Sequence, residues 1–394
     1  MPPAARITDI HACPIPVHGP NPIIAPCCPT VIIGGQPAAR VTDKSLCTGE
    51  IITGSDTVFI GFQRAARIGD MTSHGGLIVT GWMTVIIGGD NSRHPTLQQA
   101  QSHLLMLDQL PPSEEVERMK ANLKADMKLL MDALVAQDVY RKPGAPGGPP
   151  PGVKRLSDNP ADLPEALRNA VWDDPESGFH AELYQLEDGQ IVLAFEGTTT
   201  TSLAEIAKDM ITNIKQGCGW ESEQYRQAIN LADAVKTVYG DQIHLVGHSL
   251  GGGLASAASV VTGLKATVFN AAGVHADTVE RFQKNLAPAP SLITNHRVEG
   301  ELLTSLQEDP LFLLFNPVGI FFPKTSLVLG AGLSYAMPDA IGVQSPLPAL
   351  NSQGQATYAS SYHLHGMEYV LNGVSKNIQI DTQTTQDMVN AHFR

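Results

Sequence analysis

Basic side chains are scarce in this chain: Lys and Arg number 26 against 39 Asp and Glu, a formal charge of −13. An acidic surface repels phosphate backbones, so binding to nucleic acid through counterion release is not expected. The imbalance is local. Residues 1–92 carry 5 basic and 6 acidic side chains, residues 93–142 carry 7 and 7, and residues 143–394 carry 14 and 26. The start, MPPAARITDI, has no cationic segment followed by an apolar stretch, so no signal peptide for the general secretory route is read there, and synthesis in the cytoplasm is expected. Cysteine is also sparse. Cys13, Cys27, Cys28, Cys47 and Cys218 are odd in number and crowded toward the front, which suits reduced thiols or metal ligands better than a disulfide framework. A long unbroken apolar run is missing too. Residues 309–338 come nearest, but Pro317, Pro323 and Lys324 interrupt them, which weakens a membrane-span reading. What remains is enough for a packed core: 43% hydrophobic and 16% charged residues over 394 positions imply two or three folded domains.

The first ninety residues repeat. TVIIGG at 30–35, TVFIGF at 57–62 and TVIIGG at 84–89 recur every 27 residues. PAARITD (3–9), PAARVTD (37–43) and RAARIGD (64–70) form a second set of copies. Short β-branched runs between Gly and Pro turns read as strands of a small all-β unit, and a fixed period implies stacked or rotationally related copies. From Thr96 to Tyr140 the pattern becomes helical. Val116, Met119, Leu123, Met127, Leu130, Met131 and Leu134 share one stripe, and Ser113 followed by Glu114 and Glu115 marks a helix start. KPGAPGGPPPG (142–152) reads as an extended linker. Beyond it, apolar runs at 190–198, 242–249, 265–273 and 291–298 alternate with helical patterns at 203–216 and 222–239, the signature of an α/β domain with a mainly parallel sheet.

GHSLGG at 247–252 fits Gly-x-Ser-x-Gly, entered by the apolar IHLV and left by a small-residue stretch. A nucleophilic serine must project from a sharp strand-to-helix turn, and Gly247 and Gly251 remove side chains that would collide there. Ser249 is the expected nucleophile. VLAFEGT, KDMITNI (208–214), GHSLGG and VFNAAG together make residues 190–273 resemble the core of the class 3 lipases, α/β-hydrolases with a Ser-His-Asp triad. That family usually has arginine where Glu196 stands. The resemblance implies that the backbone N–H groups of Thr198 and Leu250 form the oxyanion hole. The remaining members follow in the order acid, then histidine. Glu299 and Glu301 lie where the family has its aspartate, and Glu301 is favoured because ELLT matches the acid-then-hydrophobic pattern. His363 and His365 are two residues apart and point to opposite sides if extended. His365, opening a helical segment, matches the family better, while His275 and His296 come too early in the order. Residues 309–338 are read either as a lid or acyl-chain pocket or as buried core.

The repeats of residues 1–90 closely resemble PAAR proteins, named for the Pro-Ala-Ala-Arg motif. The resemblance implies a β cone on the trimeric spike protein (VgrG) of the bacterial type VI secretion system, with three pseudo-repeats matching its threefold symmetry. It also implies a structural zinc ion held by His and Cys. The expected ligands are His11, His18, Cys47 and His74, with Cys13 as the substitute. The whole chain therefore reads as multi-domain: a PAAR spike-tip domain over 1–92, a helical connector and linker over 93–152, and a class 3 lipase-like α/β-hydrolase domain over 153–394. The implied role is an antibacterial effector, a serine lipase or phospholipase carried without a signal peptide into a target cell and acting in the periplasm or at the membrane on acyl esters of glycerolipids, phospholipids above all. An immunity protein and a chaperone are further partners such a role allows. Two readings compete: a tip adaptor whose α/β domain is catalytically silent, and an esterase or acyltransferase acting on a non-lipid ester.

Overall fold

The computed structural model describes residues 3–13, 15, 18–55, 58–87, 95–108, 110–142, 148–150, 152–198, 223–301, 303, 338–357, 359 and 361–392. The helix expected at 203–216, KDMITNI, Cys218 and residues 309–337 lie outside them. The chain divides into two compact units, Met1–Lys128 with Ser375–Arg394, and Leu129–Val374.

The first unit is built from short antiparallel pairs. β1 (Pro3–Ala4) pairs with β9 (Trp82–Ile86), and β2 (Ile10–Ala12) lies between β3 (Pro20–Pro22) and β8 (Leu77–Ile78). β4 (Cys28–Ile33) pairs with β5 (Gln36–Ala38), and β6 (Phe59–Ile60) with β7 (Gln63–Arg64). The repeat closes into a ring at its alanines: Ala5 donates its N–H to Ala66 (2.9 Å), Ala66 to Ala39 (3.0 Å) and Ala39 to Ala5 (3.0 Å). Ala4, Ala5, Ala38, Ala39, Ala65 and Ala66 are all completely buried. Where three copies of one strand end meet round an axis, a methyl group is the side chain that packs without a void or a clash. Each copy then turns through a left-handed residue, Thr8 (φ 70°), Thr42 (φ 77°) and Gly69 (φ 88°).

The Arg and Asp of each copy satisfy one another. Arg6 pairs with Asp9 at 3.0 Å, Arg40 with Asp43 at 3.2 Å and Arg67 with Asp70 at 3.1 Å. The third pair is the deepest, with the Arg67 side chain only 1% exposed. Removing one partner of a buried ion pair leaves a desolvated charge behind. Arg67→Ala is accordingly expected to destabilise this unit by about 3–5 kcal/mol, read as an earlier thermal transition; a transition within a degree of wild type would contradict it.

The helical tract holds α1 (Pro95–Leu107) and α2 (Glu114–Asp138), the second beginning where Ser113 marked a helix start. The break falls at Pro111 and Pro112, and the Ser113 hydroxyl accepts the Val116 N–H at 3.2 Å as a cap. Val116, Met119, Leu123 and Leu130 are buried as the stripe predicts. Met127, Met131 and Leu134 are only half-buried, whereas Ala133, Val135, Ala136 and Val139 are wholly buried. The stripe therefore fails in the last turns, where α2 belongs to the second unit and even Asp132 and Asp138 are enclosed.

The second unit is an α/β domain around a mixed sheet in the order β10 (Val153–Arg155), β12 (Phe179–Leu186), β13 (Ile191–Phe195), β14 (Ile243–His248), β15 (Lys265–Phe269), β16 (Ile293–Val298), β17 (Val343–Leu347), with β11 (Asp173–Asp174) beside β12. β13 to β17 run parallel, and β10, β12 and β13 pair antiparallel. β13 to β16 are the four runs read from the sequence, and α3 (Glu223–Tyr239) is the helix read at 222–239. β12 escaped that reading because it buries charge: Glu182 pairs with His180 and Arg155, and the Arg155 side chain is fully enclosed. α4 (Leu250–Thr262) follows β14 directly, and its glycines and alanines let it lie close against the sheet.

Candidate active site and metal centre

Ser249 sits between β14 and α4 with φ 59° and ψ −125°. This is a strained conformation for a residue with a side chain, and it is held there from both sides. Ser249 donates its N–H to Phe269 (3.0 Å), while its carbonyl accepts from Gly253 (3.2 Å) and Ala272 (2.9 Å). The neighbouring glycines are steric requirements. A Cβ on Gly247 would lie 2.2 Å from the Gly251 carbonyl oxygen, and one on Gly251 would lie 2.1 Å from that of Phe195.

The structure brings Ser249, His365 and Glu301 into one hydrogen-bonded row. His365 Nε2 is 2.8 Å from Ser249 Oγ, and His365 Nδ1 is 2.6 Å from Glu301 Oε2. Glu301 follows β16 and is fully buried, with the Leu303 N–H donating to the same oxygen at 2.9 Å. His365 lies between α5 (Ser361–Leu364) and α6 (Met367–His392). Glu299 and His363 are exposed instead. His275 caps the short helix Ala276–Glu280, and His296 lies within β16, where burial lowers its pKa to about 4. Ser249 and Glu301 stand just beyond the carboxyl ends of the parallel strands β14 and β16, where open α/β sheets carry their sites.

The segment after β13 presses against the serine, since a Cβ on Gly197 would lie 3.3 Å from Ser249 Cβ. The Gly197 N–H is already given to the Tyr140 hydroxyl at 3.1 Å, which leaves the Thr198 N–H as the next donor along the chain. Leu250 opens α4 directly after Ser249, and its N–H is one of the helix's first, which have no intrahelical partner. Glu196 is buried and pairs with Lys142 through both oxygens at 3.0 Å.

Sequence reasoning did not single out Lys142, Tyr140, His248 or Asn270. His248 lay inside the serine motif. Tyr140 and Lys142 carried no signal, because they reach the site from 108 and 54 positions away along the chain.

In the first unit, the ligand atoms of Cys13, His18, Cys47 and His74 lie within 4.8 Å of one another. Cys13 Sγ is 3.4 Å from His18 Nδ1 and 3.7 Å from His74 Nδ1, and Cys47 Sγ is 3.5 Å from His74 Nδ1. The edges of a tetrahedron with metal–sulfur and metal–nitrogen bonds of ordinary zinc length are about 3.5 Å, so these four could hold one such ion. His11, expected among the ligands, lies outside this group of four, with its Nδ1 3.8 Å from Cys47 Sγ. It is completely buried, with Nδ1 at 3.1 Å from Ser45 Oγ and Nε2 at 2.7 Å from Thr72 Oγ1, so both nitrogens are engaged. Its pKa falls to about 4, first from burial and then from His74 and His18. Cys13 takes the place that the sequence reading favoured for His11. Burial pushes the Cys13 thiol up to about 11, so a metal ion bound there must displace its proton.

Fold and site together define an α/β protein with a serine, a histidine and a carboxylate aligned at its strand ends, joined to a strand-rich unit with a His/Cys cluster. The chain belongs to the Tle-like phospholipase domain family, whose model matches residues 131–353, and the PAAR motif matches residues 2–52 and 17–80. The phospholipase match begins inside the stretch read as a connector and ends before His365. The chain is also 39% identical over 181 residues to an extracellular phospholipase A1 of Serratia liquefaciens, which covers 45% of this chain and 53% of that protein. The match thus spans about half the length of that relative.

Proposed function

We propose that this chain is a spike-tip effector of a type VI secretion system, in which residues 1–92 form the tip and residues 153–394, with Tyr140 and Lys142 from the connector, form a serine phospholipase of class 3 lipase type. The observation that carries the enzymatic part is the row Ser249–His365–Glu301, with hydrogen bonds of 2.8 and 2.6 Å. In this reading Ser249 Oγ attacks the carbonyl carbon of a glycerolipid acyl ester while His365 Nε2 takes its proton. The tetrahedral oxyanion is met by the N–H groups of Thr198 and Leu250. His365 then protonates the leaving alkoxide, releasing the lysolipid. Water, deprotonated by the same imidazole, cleaves the acyl-enzyme to a free fatty acid and returns Ser249. Glu301 holds the Nδ1–H tautomer and stabilises the imidazolium, and its full burial keeps that interaction out of water.

Family membership and the phospholipase A1 relative support phospholipids of a target cell as the substrate. No helix among the described residues is long and apolar enough to cross a membrane, and an antibacterial enzyme acting on a bilayer in the periplasm needs only to reach its surface. The alanine ring supports a tip that presents three equivalent faces to a trimeric spike. Phe62 is fully exposed, and Phe59 (59%) and Ile32 (56%) largely so, which offers apolar contacts to that partner. Zinc held by Cys13, His18, Cys47 and His74 would tie together the loops that break the pseudo-symmetry, a structural use of a closed four-ligand set.

Glu301→Gln is expected to lower kcat by about 10³–10⁴-fold with KM little changed, since the amide cannot stabilise the imidazolium. Glu299→Gln, on an exposed side chain, is expected to stay within twofold. Steady-state hydrolysis of a soluble short-chain ester separates them, and equal losses in both variants would remove Glu301 from its assigned role.

A further inference from the structure

Behind the serine row runs a second hydrogen-bonded chain. The Gly197 N–H donates to the Tyr140 hydroxyl at 3.1 Å, and that hydroxyl lies 3.0 Å from His248 Nδ1. His248 Nε2 lies 2.7 Å from the main-chain carbonyl oxygen of His365. A carbonyl only accepts, so Nε2 carries the proton and Nδ1 is left to accept from Tyr140. The His248 carbonyl oxygen, at 3.4 Å, is a second and longer acceptor for the same hydroxyl. The same His365 carbonyl accepts a second bond from Asn270 Nδ2 at 3.0 Å, and Asn270 Oδ1 accepts the Val298 N–H at 2.8 Å. Asn270 adopts a left-handed φ of 44° to reach both. Val298 ends β16, and its carbonyl accepts the Glu301 N–H at 3.1 Å.

The geometry points to Tyr140 and His248 as positioning residues that clamp the main chain of His365, so that its imidazole stays in line with Ser249 while the same strut fixes the segment carrying the Thr198 N–H. This inference rests on Ser249 being the nucleophile. His365 must rotate little and keep Nε2 on the serine through two proton transfers, and a base whose backbone is free to shift by an ångström loses about a hundredfold in rate. Two donors on one carbonyl, one of them part of a strut braced against Gly197, prevent that shift. The strut is also electrically silent. His248 is buried, and both that burial and the neighbouring His365 lower its pKa to about 3. It therefore remains neutral beside an imidazole that becomes positively charged in every turnover, although the two ring centroids are only 5.0 Å apart. The hydroxyl of Tyr140 joins parts of the chain 57 and 108 positions apart, which explains why a residue just beyond α2 is needed by a site built on the sheet.

The test uses the full chain and a fluorophosphonate probe, whose rate of covalent capture reads the activation of Ser249 directly, together with kcat and KM on a soluble ester. Tyr140→Phe is expected to slow capture and kcat about tenfold, and His248→Leu about a hundredfold, with KM unchanged. His248→Gln, which retains an N–H that can reach the carbonyl, is expected to recover most of the loss. Because the two residues act as one strut, the double variant Tyr140→Phe/His248→Leu is expected to be no slower than His248→Leu alone. If His248→Leu fails to fold, Tyr140→Phe and His248→Gln decide, with melting temperatures taken alongside. A wild-type chain captured at Ser249 with variants captured equally fast overturns the strut alone, as do penalties that multiply in the double variant. A wild-type chain not captured at Ser249 overturns the nucleophile assignment and the strut with it.

Discussion

Ser249→Ala is expected to lower the release of fatty acid from phospholipid vesicles by about 10⁵-fold or more, while the folded structure persists. The hydroxyl oxygen forms the bond to the acyl carbon, so its removal leaves only substrate binding and the oxyanion donors, which retain a small residual acceleration. Little stability is lost with it. Alanine suffers the same strain at φ 59°, the three backbone hydrogen bonds around residue 249 are kept, and the one hydrogen bond forfeited is that to His365 Nε2. Product analysis by mass spectrometry on bacterial phospholipids, wild type against variant, gives the answer. A variant retaining more than a hundredth of the wild-type rate would defeat the assignment. A wild type that cleaves small esters but no phospholipid would favour the non-lipid ester reading, and one that cleaves neither would favour the silent adaptor.

The purified chain is expected to carry one zinc ion per molecule, and Cys13→Ser with Cys47→Ser to carry none. His11→Gln, by contrast, is expected to retain the full complement. The first two lose the thiolates that give a tetrahedral set its affinity. The third alters a side chain whose nitrogens face Ser45 and Thr72, at a cost of about 1–3 kcal/mol for the hydrogen bonds disturbed. Stripping zinc with a chelator should then lower the thermal transition of the front unit and leave Ser249-dependent hydrolysis of a soluble ester unchanged, because the cluster and the serine row lie in different compact units. Elemental analysis decides the stoichiometry, and a His11→Gln chain devoid of metal would restore His11 as a ligand.

The ease with which parts of this molecule could be read from sequence follows the range of the forces that shape them. β13 to β16 were legible because each is a short apolar run bounded by turn residues, and the elbow because its steric demands fall on Gly247, Ser249 and Gly251 within five positions. β12 was not, because His180 and Glu182 are buried on it only by virtue of Arg155, supplied from another strand. The apolar stripe of α2 was right at Val116, Met119, Leu123 and Leu130 and wrong at Met127, Met131 and Leu134, since the last turns pass into surroundings that no helical period records. Of the expected metal ligands, Cys13 and His11 are two residues apart, and only Cys13 falls in the cluster with His18, Cys47 and His74. Which of them reaches His18 and His74 depends on the direction in which β2 and the following loop present them, and that is settled by pairing with β3 and β8.

The sequence by itself determined the threefold repeat, the succession of strand-rich, helical and α/β parts, and the serine at its elbow. These follow from period, local steric need and hydrophobic pattern, which are properties of neighbours along the chain. Tertiary structure showed that Glu301 and His365, already favoured by chain order and motif, lie in one row with Ser249, that Cys13 and not His11 falls in the four-residue cluster, that Lys142 pairs with Glu196, and that Tyr140 and His248 link to the main chain of His365. The physical reason is common to all four. Hydrogen bonds and ion pairs act over about 3 Å, and most of the groups they join here lie tens of positions apart, brought together only when the chain folds.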